Sequence, residues 1–159
     1  MTREEIQAYT MRITRASRSD LVVILYDMAI QYIKEGVTAL QAGKAEAGRE
    51  SLNKARRVVN RLSGDLDMQY PVSAQLFSLY SYMNRALIHA GVSLKVTDAE
   101  ALVGMLLKLR DAFLQVAGED TTGPMMRNTQ QVYAGMTYSR NSLNENYGSI
   151  QDLNRGIKA

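Results

Sequence analysis

Between Ser19 and Gln41 the apolar residues Leu21, Leu25, Met28 and Tyr32 recur at a 4,3,4 spacing. That spacing keeps side chains on one side of an α-helix, and Val22, Ala29, Ile33, Val37 and Leu40 widen the stripe. After a break at Ala42-Gly43, the positions Gly48, Leu52, Ala55, Val59, Leu62 and Leu66 repeat at 4,3,4,3,4 with charges between them, a heptad seam. Asp67-Met68-Gln69-Tyr70-Pro71 closes this second helix, because proline disfavours helical geometry in the residue before it and opens a new helix well. The third helix carries Val72, Leu76, Leu79, Met83, Ala86 and Ala90, with a second stripe of Phe77, Tyr80 and Leu87 beside the first. Beyond Gly91, Thr97-Asp98-Ala99-Glu100 has the form of a capping box, which predicts a helix start. Leu102, Leu106, Leu109, Phe113 and Val116 then run down to Gly118.

Four segments of roughly 20 residues, each about 30 Å long and joined by short turns, predict an all-α fold. The architecture expected is an antiparallel four-helix bundle over residues 19–117. Residues 1–18, with Ile6, Tyr9, Met11 and Ile13 among four arginines, form an N-terminal arm expected to lie on the bundle. Residues 118–159 form a C-terminal tail, partly helical or extended, whose apolar residues are too thinly spaced for a core of its own.

Composition narrows the chemistry. There is no cysteine, so disulfides, thiolate nucleophiles and cysteine-based metal sites are excluded. The single histidine, His89, rules out a bis-histidine site, and position 86, where a bundle di-iron site would want glutamate, is alanine. No acidic residue that would orient His89 as a base is evident from spacing, and no glycine-rich phosphate loop precedes a Lys-Ser or Lys-Thr pair. We therefore expect no catalytic residues, no metal and no cofactor. The net charge of +3 mixes both signs without a long basic run, which argues against nucleic acid as a partner. Lys54, Arg57 and Arg61 share one helix face at three- and four-residue spacing; an ordinary solvated face is the favoured explanation and an acidic partner the other. No eighteen apolar residues run together and the first residues lack the apolar stretch of a signal peptide, so a cytoplasmic protein without membrane contact is expected.

The unusual feature is an apolar surplus. The third helix offers Phe77, Tyr80, Met83 and Leu87 in addition to its seam, the first offers Ile24 and Tyr26, and nine methionines add adaptable surface. Two explanations stand: both helices are buried on two sides, or part of the surplus lines a groove for another polypeptide.

Four stretches are similar to the FliS flagellar export chaperones: Leu21-Val22-Val23-Ile24-Leu25-Tyr26-Asp27, Gly64-Asp65-Leu66-Asp67-Met68, Leu76 through Ile88 with its Leu-x-x-Leu-Tyr-x-Tyr-Met core, and Leu106 through Phe113. The resemblance spans about Tyr9 to Gln115. It implies a chaperone that binds the disordered C-terminal segment of flagellin, keeps it from polymerising in the cytoplasm and supports export, with other flagellar export components as further partners. On that basis Ile24, Tyr26, Tyr80, Met83 and Leu87 are expected to line the client groove. Tyr9 and Ile13 match the mobile arm that covers part of the groove in the family. Phe113 stands where the family often has tryptophan, and His89-Ala90-Gly91 where an Ala-Asn pair is expected, so the end of the third helix is expected to differ in shape.

The tail of about forty residues exceeds the common short form of the family. One expectation is a short helix from Met125 to Met136 followed by a strap over the groove; a solvated tail is the other. A monomer or weak homodimer fits the chaperone reading, whereas the competing function, a self-associating structural bundle without a client, requires stable dimers.

Overall fold

Thr2 accepts a hydrogen bond from the Glu5 N–H at 3.2 Å while the Glu5 carboxylate accepts from the Thr2 N–H at 2.6 Å. This reciprocal pairing satisfies two otherwise orphaned amides and turns the start of the chain into a helix, α1 (Arg3–Arg15). A second box follows at once, Ser17 with Asp20, and starts α2 (Arg18–Gln41). The arm is thus a helix joined to the bundle through Ala16 and Ser17. In the computed structural model, which describes residues 1–126, three more helices follow: α3 (Ala45–Gly64), α4 (Pro71–Ser93) and α5 (Thr97–Glu119).

The helices α2 to α5 form the expected bundle. α2 packs on α3 and α5, and α4 packs on the same two from the opposite corner, more closely on α3 than on α5. α1 lies against α2. Among the described residues no helix is long and apolar enough to cross a membrane.

The break after α2 is a Schellman turn. Gly43 adopts φ +73°, its N–H donates to the Leu40 carbonyl at 3.0 Å, and the Lys44 N–H donates to the Ala39 carbonyl at 2.9 Å. The short turn brings α3 back along α2 closely enough that Gly36 and Gly48 face each other. A Cβ on Gly48 would lie 3.2 Å from the Gly36 carbonyl oxygen, and one on Gly36 would lie 3.3 Å from that of Gly48.

The capping box expected at Thr97 does not form. Thr97 is already the first helical residue, Val96 precedes it without a side-chain cap, and the Asp98 carboxylate turns instead to His89 Nδ1 at 3.1 Å. The pairing also corrects the expectation that His89 has no acidic neighbour, although both side chains are largely exposed. α4 runs through Gly91 to Ser93 and stops at Leu94, whose φ of 57° lies in the left-handed region. A side chain there costs about 1–2 kcal/mol, and Leu94 is 42% exposed and contributes little to packing. Leu94→Gly is therefore expected to raise stability by about 1 kcal/mol in thermal or urea unfolding.

The core is one contiguous cluster running from Tyr26, Ala29, Ile30 and Ile33 of α2 through Leu52, Ala55, Val59 and Leu62 of α3, Tyr80, Met83 and Leu87 of α4, and Leu102 and Leu106 of α5. Each such aliphatic side chain contributes about 1.5–3 kcal/mol by leaving water. The register differs from the sequence expectation on two helices. On α4 the buried line is Ser73, Tyr80, Met83, Leu87 and Ala90, whereas Leu76, Leu79 and Ala86 are half-buried and Val72 is exposed. On α2 the series Leu21, Leu25, Met28 and Tyr32 is likewise half-buried.

Candidate partner-binding surface

Four of the five expected groove residues belong to the core. Tyr26, Tyr80, Met83 and Leu87 are at most 2% exposed and sit in the contiguous cluster. The Tyr26 hydroxyl is hydrogen-bonded to that of Tyr80, and the Tyr26 ring packs against Phe113 with centroids 5.6 Å apart. These residues hold the four helices together, and the explanation that both α2 and α4 are buried on two sides holds for them. Burial pushes both phenols up; at Tyr26 the hydrogen bond shared with Tyr80 adds to the rise.

Ile24 is different. It is 3% exposed but stands outside the contiguous core. At 3.6 residues per turn it shares the outer side of α2 with Asp27 and Gln31, and those two residues carry the contacts to α1. Arg12 Nη2 donates to the Asp27 carboxylate at 2.7 Å, and Gln31 Nε2 donates to Glu5 at 3.3 Å. Glu5, Tyr9 and Ile13 follow one another at four-residue spacing, so they form a single line on α1, and all three are half-buried. The Arg12 guanidinium also sits 5.5 Å from the centre of the Tyr9 ring. The Tyr9 hydroxyl is pushed up by partial burial first and by the Asp27 carboxylate second. The geometry is therefore an amphipathic helix laid over an apolar position on the outer side of the bundle and fastened by polar contacts.

Asp27 also receives Arg110 of α5 at 3.6 Å, so one carboxylate ties the arm to both α2 and α5. The sequence marks Asp27 only as the acidic end of an apolar run, and its latch role was missed for that reason. Asp27→Asn is expected to weaken arm docking by about 0.5–1 kcal/mol, a two- to fivefold rise in α1 amide exchange that added salt makes smaller in contrast to the native chain.

The segment after α5 closes the other side of the arm's hinge. Met125 N–H donates to the Ala16 carbonyl at 3.1 Å, and the Ser19 N–H donates to the Asp120 carboxylate at 3.3 Å. Residues up to Met126 accordingly pack with the bundle, beyond the boundary at 117 expected from composition. Hydrogen bonds from Ser19 and then Thr122 hold the Asp120 carboxyl well below the usual carboxylate range. A lowered folded value means that these contacts are at full strength above the ordinary carboxylate pKa of about 4 and weaken as the pH falls below it. Amide protection at Met125 should decline on acidification, and Asp120→Asn should remove that dependence. The expected helix from Met125 to Met136 and the strap beyond it fall, apart from their first two residues, outside the described residues.

Further apolar surface is exposed on α4, where Phe77 (49%), Ile88 (46%) and Val92 (75%) share one face. Between α2 and α3 runs a groove of about 280 Å³ with Leu25, Met28, Tyr32 and Val58 as its floor and Lys54, Arg57 and Arg61 along one wall. Among the described residues no three His, Cys, Asp or Glu side chains cluster as metal ligands.

The described residues form a four-helix bundle with a fifth helix laid on the outer face of α2, which places the chain in the class of all-α helical-bundle proteins. The comparison with known proteins makes this specific: the profile of the family described as "Flagellar protein FliS" matches residues 2–120, and the chain belongs to that family. The Flagellar secretion chaperone FliS of Bacillus subtilis is 25% identical over 103 residues, covering 65% of this chain and 77% of that one. Those of Escherichia coli (27%, covering 62% and 74%) and Salmonella typhimurium (29%, covering 64% and 78%) are similar over the same extent.

Proposed function

We propose that this chain is a cytoplasmic secretion chaperone whose client is the C-terminal segment of flagellin, held in the slot that α1 occupies in the free protein. The observation that carries this reading is Ile24. It is buried yet stands outside the contiguous core, on the side of α2 where α1 is fastened through Asp27 and Gln31, so removal of α1 is expected to bare an apolar strip on α2 without dismantling the bundle. A disordered client segment that folds into an amphipathic helix meets the same requirement as α1: apolar residues at i, i+4 and i+8, with polar groups that reach Asp27 and Gln31. Exchange of one helix for another keeps the strip out of water in both states, and keeps the client's own sticky face from assembling before export.

Calorimetry of the full chain with a flagellin C-terminal peptide tests this, with amide exchange followed in α1. Binding together with loss of α1 protection is expected. Absence of binding, or binding with α1 protection intact, would remove the reading. The exposed Phe77, Ile88 and Val92 face of α4 keeps the self-associating bundle as the competing reading, and sedimentation at low concentration separates them, since the chaperone is expected to remain monomeric.

A further inference from the structure

We propose that the groove between α2 and α3 is a second docking site, one that takes an acidic, amphipathic helix from a protein other than the client while α1 stays in place. The floor, Leu25, Met28, Tyr32 and Val58, is apolar, and the α2 side of the groove contributes no charge. Every charged residue that α3 contributes is a cation. Lys54, Arg57 and Arg61 follow one another at three and four residues and so stand in a row about 10 Å long. In the free chain the two ends of the row are satisfied internally, Lys54 by Glu50 at 2.7 Å and Arg61 by Asp65 at 2.8 Å. Arg57, at the centre and exposed, makes no ion pair among the described residues.

This pattern specifies its occupant. A helix lying along the groove would put an apolar stripe on Leu25, Met28 and Tyr32 and a carboxylate against Arg57, with further carboxylates one turn away on either side replacing Glu50 and Asp65. Two exposed intramolecular pairs are worth little in water, so exchanging them for partner carboxylates costs little. The chain's own tail does not fit, because residues 127–159 carry Arg127, Arg140, Arg155 and Lys158 against only Glu145 and Asp152. The groove is also separate from the arm slot. Leu25 and Tyr32 lie about a third of a turn around α2 from the Ile24, Asp27 and Gln31 line.

The probe is a synthetic helical peptide of about 18 residues with a leucine stripe flanked by glutamates, compared with the same peptide carrying lysines. Fluorescence anisotropy with the full chain should show binding of the glutamate peptide that weakens with salt. Arg57→Glu should weaken it at least about tenfold, since it both removes and reverses the central charge; Arg57 is exposed, and unchanged circular dichroism checks that the variant folds. α1 amide exchange should be unaffected by the peptide, and a flagellin C-terminal peptide should not compete. Failure of the glutamate peptide to bind, equal binding of the lysine peptide, or indifference to Arg57→Glu would overturn the site. Competition by the flagellin peptide, or release of α1 by the probe, would instead make the groove part of the client slot and overturn its independence. Dimerisation abolished by Arg57→Glu would reassign it to a second copy, and equal Arg57-dependent binding of anionic vesicles would reassign it to a membrane. The measurement with the glutamate peptide needs no flagellin, so it stands or falls apart from the client assignment.

Discussion

A Tyr26→Phe variant is expected to lose about 1–3 kcal/mol of stability, and Tyr26→Phe combined with Tyr80→Phe to recover most of it. The two hydroxyls are bonded to each other at the centre of the bundle, in residues 0% and 1% exposed. Removing one leaves the other a buried polar group with no partner, whereas removing both leaves two apolar rings of nearly the same shape. A loss of this size lowers the melting temperature by about 2–4 °C per kcal/mol in a chain of this length. If the two losses simply add, the hydroxyl pair is not the source of the effect. The same pair sets an alkaline limit. Because both phenols are pushed up in the folded state, their contribution is complete below the ordinary tyrosine value of about 10 and is lost as the pH rises through the higher folded values. Native protein should therefore begin to unfold in alkali at a lower pH than the double phenylalanine variant.

That pair also shows what the sequence conceals. The order and approximate bounds of the four bundle helices are legible because the heptad spacing of α3, Pro71 and the Ala42-Gly43 break act locally, and each survives into the structure. The register on α2 and α4 is not legible. Both helices carry more apolar residues than one stripe needs, so Leu21-Leu25-Met28-Tyr32 and Val72-Leu76-Leu79-Met83 satisfy the spacing rule as well as the true seams do. Only the neighbouring helices decide between them. α4 rolls so that Tyr80 and Leu87 face inward, and the regular series Val72, Leu76 and Leu79 is left at the edge. α3 has no such ambiguity. Its single stripe, Gly48 to Leu62, is buried as its spacing foretells, because charges on every other side leave one solution.

The capping boxes carry a related lesson. Thr97-x-x-Glu100 has the right letters but lies one residue inside the helix, while Thr2-x-x-Glu5 and Ser17-x-x-Asp20 form the bonds. A cap requires extended backbone at its first residue, and Thr97 is already helical. The arm's helical form has a local signal in Thr2-x-x-Glu5, whereas its fastening to Asp27 and Gln31 depends on partners fifteen or more residues away. The surplus apolar residues divide in the same way: those on the inner sides of α2 and α4 are consumed by the core, Ile24 lies outside it on the side of α2 where the arm is fastened, and Leu25, Met28 and Tyr32 line a groove.

Deletion of residues 1–16 is expected to tighten binding of a flagellin C-terminal peptide by about 10- to 100-fold. If the arm and the client use one slot, the measured affinity is the intrinsic affinity divided by the arm's own docking constant. The arm is held by a charge-assisted hydrogen bond from Arg12 to Asp27, an ion pair of the Met1 amine with Glu35, a weaker bond from Gln31 to Glu5 and the partial burial of Tyr9 and Ile13. Interactions of this kind sum to about 1.5–3 kcal/mol, which sets the range. The second arm of the test is Ile24→Asp. A charge on that apolar strip should cost the peptide at least about 2 kcal/mol, roughly thirtyfold. Because Ile24 lies outside the contiguous core, the bundle's unfolding temperature should change much less than for a core substitution such as Leu102→Ala, for which about 2–5 kcal/mol is expected. Met83→Ala provides the contrast on the client side. It should destabilise the fold strongly, yet leave peptide affinity nearly unchanged in the fraction that remains folded. If deletion of the arm weakens peptide binding, α1 is part of the grip and not its cover. If Ile24→Asp leaves affinity untouched, the client lies elsewhere on the bundle, and the exposed face of α4 becomes the surface to test.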